Sequence, residues 1–345
     1  MKKNCVLWLL VVALCLGIAG CGGPGGRKKQ YSATYLTLFD TVTTVVGMDE
    51  SETAFRKKAQ NIHDELLAYH RLFDIYHEYE GLNNLKTVND RAGITPVKVD
   101  RAILELLTDC KRFYELTEGK VNVAMGSVLS LWHEARNAGL ADPAGAALPD
   151  ETALEAAADH MDLSCVVIDE EVSTVFITDK KTRLDVGAIA KGWAVQRVAE
   201  NAPEGLLISV GGNVVATGPK DSKGSPWVVG IQDPDDADGY LHTVRVTGGA
   251  VVTSGDYQRT YTVAGKQYHH IIDPETRMPG EYWSSVTVVC GDSGMADALS
   301  TALFLLPLEA GQNLADSCNA QVLWVDSQGI AYMTPGFQKL LRPER

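Results

Sequence analysis

The chain has 345 residues, 45% of them apolar and 22% charged, which is material for one large globular domain or two small ones. Its formal net charge of −13 argues against nucleic acid as a partner, because phosphate binding wants a basic face. There is no CxxC and no Cys/His cluster, which argues against a zinc site.

Taken in chain order, the first signal is at the N-terminus. Lys2 and Lys3 precede an apolar run over 6–16, too short to span a bilayer core of ~30 Å as a helix. Ile18-Ala19-Gly20-Cys21 follows, and small residues before a Cys read as a lipoprotein signal. Residues 1–20 are therefore expected to be removed and Cys21 to carry lipid. The Gly/Pro run that begins at Gly22 makes 21–33 a flexible tether. The folded domain is expected over 34–340, held by its lipid at the cell membrane on the extracytoplasmic side.

Residues 35–48 are rich in Thr and Val and predict a strand. Phe55, Ala59, Ile62, Leu66, Tyr69 and Phe73 recur at intervals of three and four, so a long helix is expected over 52–79. A second helix is expected up to Leu116, with Asp100 as its N-cap. Residues 137–150 read as an Ala/Gly/Pro loop before a short helix ending near His160. Further on, 165–168 and 174–177 flank an acidic turn as a hairpin. Strands are then expected over 206–210, 214–217, 227–231, 243–246, 250–253, 258–263, 285–289 and 322–325. Helices are expected over 189–199 and 295–306. This order has no regular βαβ alternation, so the fold class is α+β, a mostly antiparallel sheet core with flanking helices. Cys165 and Cys290 sit beside Val-rich runs and read as small buried hydrophobes.

Four short segments carry chemistry. Asp297 and Thr301 lie four apart, which on a helix puts a carboxylate and a hydroxyl on one face. Such hard oxygens suit magnesium and leave room for phosphate and water; the same spacing also fits a surface Asp and a packing Thr. The stretch from Leu184 to Gly192 is a strand end, a glycine turn and a helix start, flanked by Asp185 and Lys191. A helix start offers free N–H groups to phosphate, although the stretch also fits a plain strand–helix turn. Ser209-Val210-Gly211-Gly212-Asn213 is a further glycine turn. His269 and His270 are adjacent, so on a strand they point to opposite sides and at most one faces any one site. A neutral His is a serviceable general base, although a lone His is usually one with satisfied partners or at the surface.

The order of these pieces resembles the ApbE family, the FAD:protein FMN transferases. The resemblance covers about residues 33 to 335. It rests on Leu184 to Gly192, Ser209-Val210-Gly211-Gly212, Thr253-Ser254-Gly255-Asp256-Tyr257, His270-Ile271-Ile272-Asp273-Pro274 and Ala296-Asp297-Ala298-Leu299-Ser300-Thr301. Softer matches are Phe39-Asp40-Thr41, Phe73-Asp74-Ile75-Tyr76 and Val121 to Gly126. Two departures stand out: Phe39-Asp40-Thr41 where members often have Met-Gly-Thr, and Arg277 where many have Gly.

The resemblance implies an ApbE-like flavin transferase fold and a role for every piece. Asp297, Thr301 and the carbonyl of Ala188 would ligate Mg2+. Phe39, Tyr76, Val123, Ala124, Asp185, Lys191 and Ile271 would line FAD, which is a substrate. Gly211, Gly212, Ser254 and Gly255 would let backbone approach it. His270, with Asp297 as an alternative, would take the proton of a Thr or Ser hydroxyl. The acceptor would be a flavoprotein of an extracytoplasmic electron-transfer system. Attack by water instead would make a magnesium-dependent FAD pyrophosphatase with the same site residues. A lipoprotein that only binds flavin is a second alternative. A generic solute-binding lipoprotein is a third, but it would show regular βαβ units.

Overall fold

A computed structural model describes residues 28–236 and 239–343. The expected signal and lipidated Cys21 lie outside the described residues. At the centre is an eight-stranded sheet whose strands are Lys29–Leu38, Thr41–Asp49, Leu206–Val210, Asn213–Ala216, Gly249–Gly255, Ser285–Cys290, Gln321–Val325 and Ala331–Met333, in that spatial order. Every pairing in it is antiparallel, so the α+β expectation holds.

Alternation along the strands explains the layers. Val45, Ile208, Val215, Val252, Val288 and Trp324 face a helical layer. Val46, Ala216, Val251, Val289, Leu323 and Val325 face the other way. With both faces covered, strands such as Ser285–Cys290 are buried almost end to end, a pattern more usual in parallel sheets. The helical layer is led by Glu52–Phe73, Ala190–Asn201 and Ser293–Phe304. The opposite face is closed by the hairpin Trp227–Gln232/Tyr240–Val246 and the terminal helix Pro335–Leu340, through Trp227, Val229, Ile231 and Phe337. A third cluster, with Trp132, Tyr261 and Ile272, joins the helix Gly126–Ala141 to the small hairpin Tyr261–Tyr268.

Several boundaries differ from the sequence reading. The domain starts at Lys29, inside the expected 21–33 tether, because Lys29 to Ala33 pair with Asp49 to Val45 along the sheet edge. The single strand expected over 35–48 is a hairpin. The long helix stops at Phe73 and does not reach 79: the Asp74 carboxylate accepts the N–H groups of Tyr76 and His77 at 2.7 and 3.0 Å, which turns the chain out of the helix. Residues 137–141, expected as loop, finish the helix Gly126–Ala141. Asp100 caps its helix as expected, accepting from the Ala102 N–H at 2.8 Å. Among the described residues, no helix is long and apolar enough to cross a membrane. Cys110, Cys165, Cys290 and Cys318 are unpaired, and of these only Cys110 is fully buried.

Candidate active site

The strand register brings three polar turns to one end of the sheet. Thr43 pairs with Val210 and Val210 with Asn213, so the Phe39-Asp40 and Gly211-Gly212 turns lie side by side. The end of Gly249–Gly255 lies next to them, since Val252 pairs with Asn213. Gly211 and Gly212 have φ of 56° and 92°, the left-handed pair that a two-residue hairpin asks for. A Cβ on Gly211 would lie 2.7 Å from the Thr41 side chain, so the two turns pack without room for one. Above this end is a cavity of about 650 Å³, within the usual span of small-molecule sites, ~300–1,000 Å³.

One wall of the cavity is the start of two helices in close contact. Asp292 caps Ser293–Phe304 by accepting from the Met295 N–H at 2.7 Å. One turn further on, Asp297 is buried and its Oδ2 accepts the Gly192 N–H at 2.8 Å. Gly192 has to be glycine, because a Cβ there would stand 2.3 Å from the Ser293 carbonyl oxygen. Lys191 Nζ is 3.8 Å from Asp297 Oδ2 and donates to the Gly187 carbonyl at 3.1 Å. The turn itself is fixed by Asp185, whose Oδ1 accepts the Gly187 N–H at 2.9 Å. Burial pushes the Asp297 carboxyl above the ordinary carboxylate range, and Lys191 and the Gly192 N–H only partly offset this. Thr301 and Ala188 line the same cavity.

His270 also lines the cavity. Its Nδ1 lies 3.1 Å from the Gln258 carbonyl, which can only accept, so Nδ1 holds the proton and Nε2 keeps a lone pair. Burial, with the charges of Arg259, His269 and Lys191, pushes this imidazole down to about 3, so it stays neutral near pH 7. His269 faces away. Its Nε2 donates to the Gly280 carbonyl at 2.8 Å, its Nδ1 accepts the Ile271 N–H at 3.2 Å, and its ring stands edge-on to Phe304. The two rings are on opposite sides as expected, although the strand ends at Tyr268, just before them. Nearby, Lys120 Nζ bridges Asp273 at 3.0 Å and Glu275 at 3.1 Å, tying the loop after Ile272 to the wall that holds Val121 to Val123.

The profile of the ApbE family matches residues 39–324. The chain belongs to the ApbE family. The FAD:protein FMN transferase of Treponema pallidum is 33% identical over 336 residues, which is 90% of this chain and 88% of that protein. One from Klebsiella pneumoniae is 32% identical over 262 residues, 72% of this chain and 78% of its own length. The solved structure of the ApbE protein of Thermotoga maritima superposes with a TM-score of 0.78 at 28% identity, over 91% of this chain and 100% of that one.

Most residues singled out from the ApbE resemblance do meet in one place. Phe39, Tyr76, Val123, Asp185, Ala188, Lys191, Gly211, Ser254, Gly255, His270, Ile271, Asp297 and Thr301 all line the cavity. Two do not. Ala124 is fully buried in the core, its N–H taken by Asn122 Oδ1 at 2.9 Å, and the neighbours Asn122, Val123 and Met125 face the cavity instead. Gly212 is at the outer corner of its turn, and Gly211 and Asn213 form the wall. The sequence reading missed His70, Lys120, His133, Gln258 and Arg259, which also line the cavity. Lys120 adjoins the Val121–Gly126 match and was within reach; His70 and His133 sit on helices with no local motif.

No group of three His, Cys, Asp or Glu side chains that could hold a metal occurs among the described residues. A magnesium site of the expected kind would not need one. It uses one or two carboxylates, other oxygens and substrate phosphates. Asp297 supplies a buried carboxylate that the protein only partly neutralises, with Thr301 beside it on the same helix, so the donor set fits.

Proposed function

We propose that this protein is a magnesium-dependent FAD:protein FMN transferase. It is held by lipid at Cys21 on the extracytoplasmic side of the cell membrane. It moves FMN from FAD to a Thr or Ser hydroxyl of an acceptor flavoprotein of an extracytoplasmic electron-transfer system, and AMP leaves. The observation that carries this reading is the meeting, in one cavity, of the Asp297–Thr301 face, the Lys191 ammonium and a neutral His270 with its Nε2 free.

The parts act in sequence. Asp297, Thr301 and the Ala188 carbonyl would hold Mg2+, which supplies Lewis-acid stabilisation of charge on the phosphate oxygens when bound. Lys191 adds a positive charge beside the same phosphates. His270 Nε2 takes the proton as the acceptor hydroxyl oxygen attacks the phosphorus on the FMN side. The new bond is a phosphoester between acceptor and FMN; the bond that breaks joins that phosphorus to the AMP oxygen, which leaves with the electron pair. Phe39, Tyr76 and Ile271 offer apolar surface for the ring systems of the dinucleotide.

Incubation with FAD, Mg2+ and a candidate acceptor, followed by intact mass of both proteins, tests the reading. The expected result is an acceptor heavier by FMN less water, with AMP in solution, and neither product in excess chelator. AMP and free FMN without a mass gain would support hydrolysis instead. For the anchor, Cys21→Ser should abolish lipid labelling and release the protein from membranes; unchanged membrane fractionation would refute it.

A further inference from the structure

The hairpin that carries Phe39 to the cavity is built on a turn that suits its sequence poorly. Only two residues join the strands Lys29–Leu38 and Thr41–Asp49. Phe39 and Asp40 both lie in the left-handed region, with φ of 51° and 52°. Two-residue hairpins select this conformation because its twist matches that of the strands, and they usually fill it with Asn, Asp or Gly. Asp40 is a tolerated occupant. Phe39 has a Cβ and no side-chain group to bond its own backbone, and is disfavoured there.

An interaction from outside the turn holds it in place. His70, in the last turn of Glu52–Phe73, accepts the Phe39 N–H on Nδ1 at 3.1 Å. Its ring also meets the phenyl ring edge-on, with centroids 5.5 Å apart and planes at 77°. The strand pairing ends at Leu38 and Thr41, so the Phe39 N–H has no ladder partner and His70 satisfies it. Both side chains line the cavity.

We infer that His70 is a positioning residue: it clamps the Phe39–Asp40 turn and so fixes the Phe39 ring as the cavity wall against which a ring system of the dinucleotide packs. The inference rests on the reading of this cavity as an FAD site. The clamp acts on the wall and leaves the chemical step to other residues, so its loss is felt in binding.

His70→Ala should raise KM for FAD about threefold to tenfold, the equivalent of one ordinary hydrogen bond, with kcat within about twofold of the parent. His70→Asn should restore most of the affinity, because Asn Oδ1 occupies the place of His Nδ1 relative to Cβ and accepts the same N–H. Adding Asp40→Gly to His70→Ala should recover part of the loss, since Gly adopts the left-handed conformation freely. Phe39→Ala keeps the backbone bond but removes the ring, and should raise KM to a similar degree. Independently of any ligand, hydrogen exchange at the Phe39 amide should quicken in His70→Ala and slow again in His70→Asn. An unchanged KM in His70→Ala or Phe39→Ala, a His70→Asn protein as impaired as His70→Ala, or an equally protected Phe39 amide in His70→Ala would each overturn the clamp. If the parent protein does not bind FAD at all, the reading of the cavity fails, and amide exchange still decides whether His70 holds the turn.

Discussion

On the helix side of the sheet, the strands end in polar residues that turn toward the cavity: Thr41, Asn213 and Ser254. On the hairpin side, the same strands offer Val46, Ala216 and Val251 to Trp227, Val229 and Ile231. Both sides bury apolar surface, but among the described residues only the first keeps buried groups short of partners. Asp297 is a carboxylate whose charged form burial disfavours, and Thr43 Oγ1 and Ser293 Oγ are buried without a hydrogen bond. Such groups cost folding free energy, on the order of 1–3 kcal/mol for a neutral one. The difference teaches that both faces of the sheet carry stability, while the chemistry is confined to one of them. Substitutions on the hairpin side should act through stability alone, whereas those at the polar strand ends and the buried Asp297 on the helix side should act through activity.

The sharpest break of that comparison is His270→Ala. It should lower acceptor flavinylation by ~10²–10⁴ while FAD still binds, read from acceptor mass over time; His269→Ala should be far milder, because its ring is bound to Gly280 and Ile271 and faces Phe304. Undiminished transfer by His270→Ala would move the base role to Asp297. Next comes Asp297→Asn, expected to cut turnover by ~10²–10³. In chelator it should melt no lower than the parent, since it replaces a carboxylate whose charged form burial disfavours. A melting point several degrees lower would mean that this carboxylate is structural.

On the other side, Phe337→Ala should cost about 3–5 kcal/mol of stability, measured by urea unfolding, with kcat per folded molecule unchanged. A large fall in kcat would show that the two sides are coupled. The smallest effect concerns pH. His270 is held near 3 when folded and is free to take a proton near ~6.5 when unfolded. The folded state therefore binds fewer protons, and this residue's stability contribution, full above ~6.5, is lost as pH falls toward 3. Activity should show no acid limb near ~6.5 from His270, and comparing pH profiles of kcat/KM and of melting for the parent and His270→Gln would reveal one.

Much of this was legible in the residues. The strands on both sides of the cavity were found because Thr/Val-rich runs between glycine turns have few other uses, and the Asp185–Lys191 and Asp297–Thr301 segments are contiguous. Other parts are decided by partners remote in the chain. The helix over 126–141 carries Gly126 and Gly139 and owes its place to packing of Trp132 and Val128 against Tyr261 and Ile272. The end of the first long helix depends on what the Asp74 carboxylate accepts, which apolar spacing does not reveal. The helices Leu85–Asp90 and Leu308–Ser317 escaped because so few of their residues are apolar and inward. His70 and Phe39 are distant in sequence, and nothing local announces that one holds the other.

The strands of the central sheet stand side by side in the order in which the chain presents them. A chain that emerges N-terminus first can therefore lay each strand against one already in place, with no gap left to be filled later. The cavity obeys a different timetable. Lys191 is made well before the carboxylate beside it, which belongs to Ser293–Phe304 further down the chain. Until that helix docks, the Gly192 N–H has no carboxylate to bind and the proposed dinucleotide site lacks its metal-holding carboxylate. On the proposed reading, an incomplete chain would lack the Asp297–Thr301 face of the site, and turnover would wait for a nearly finished molecule.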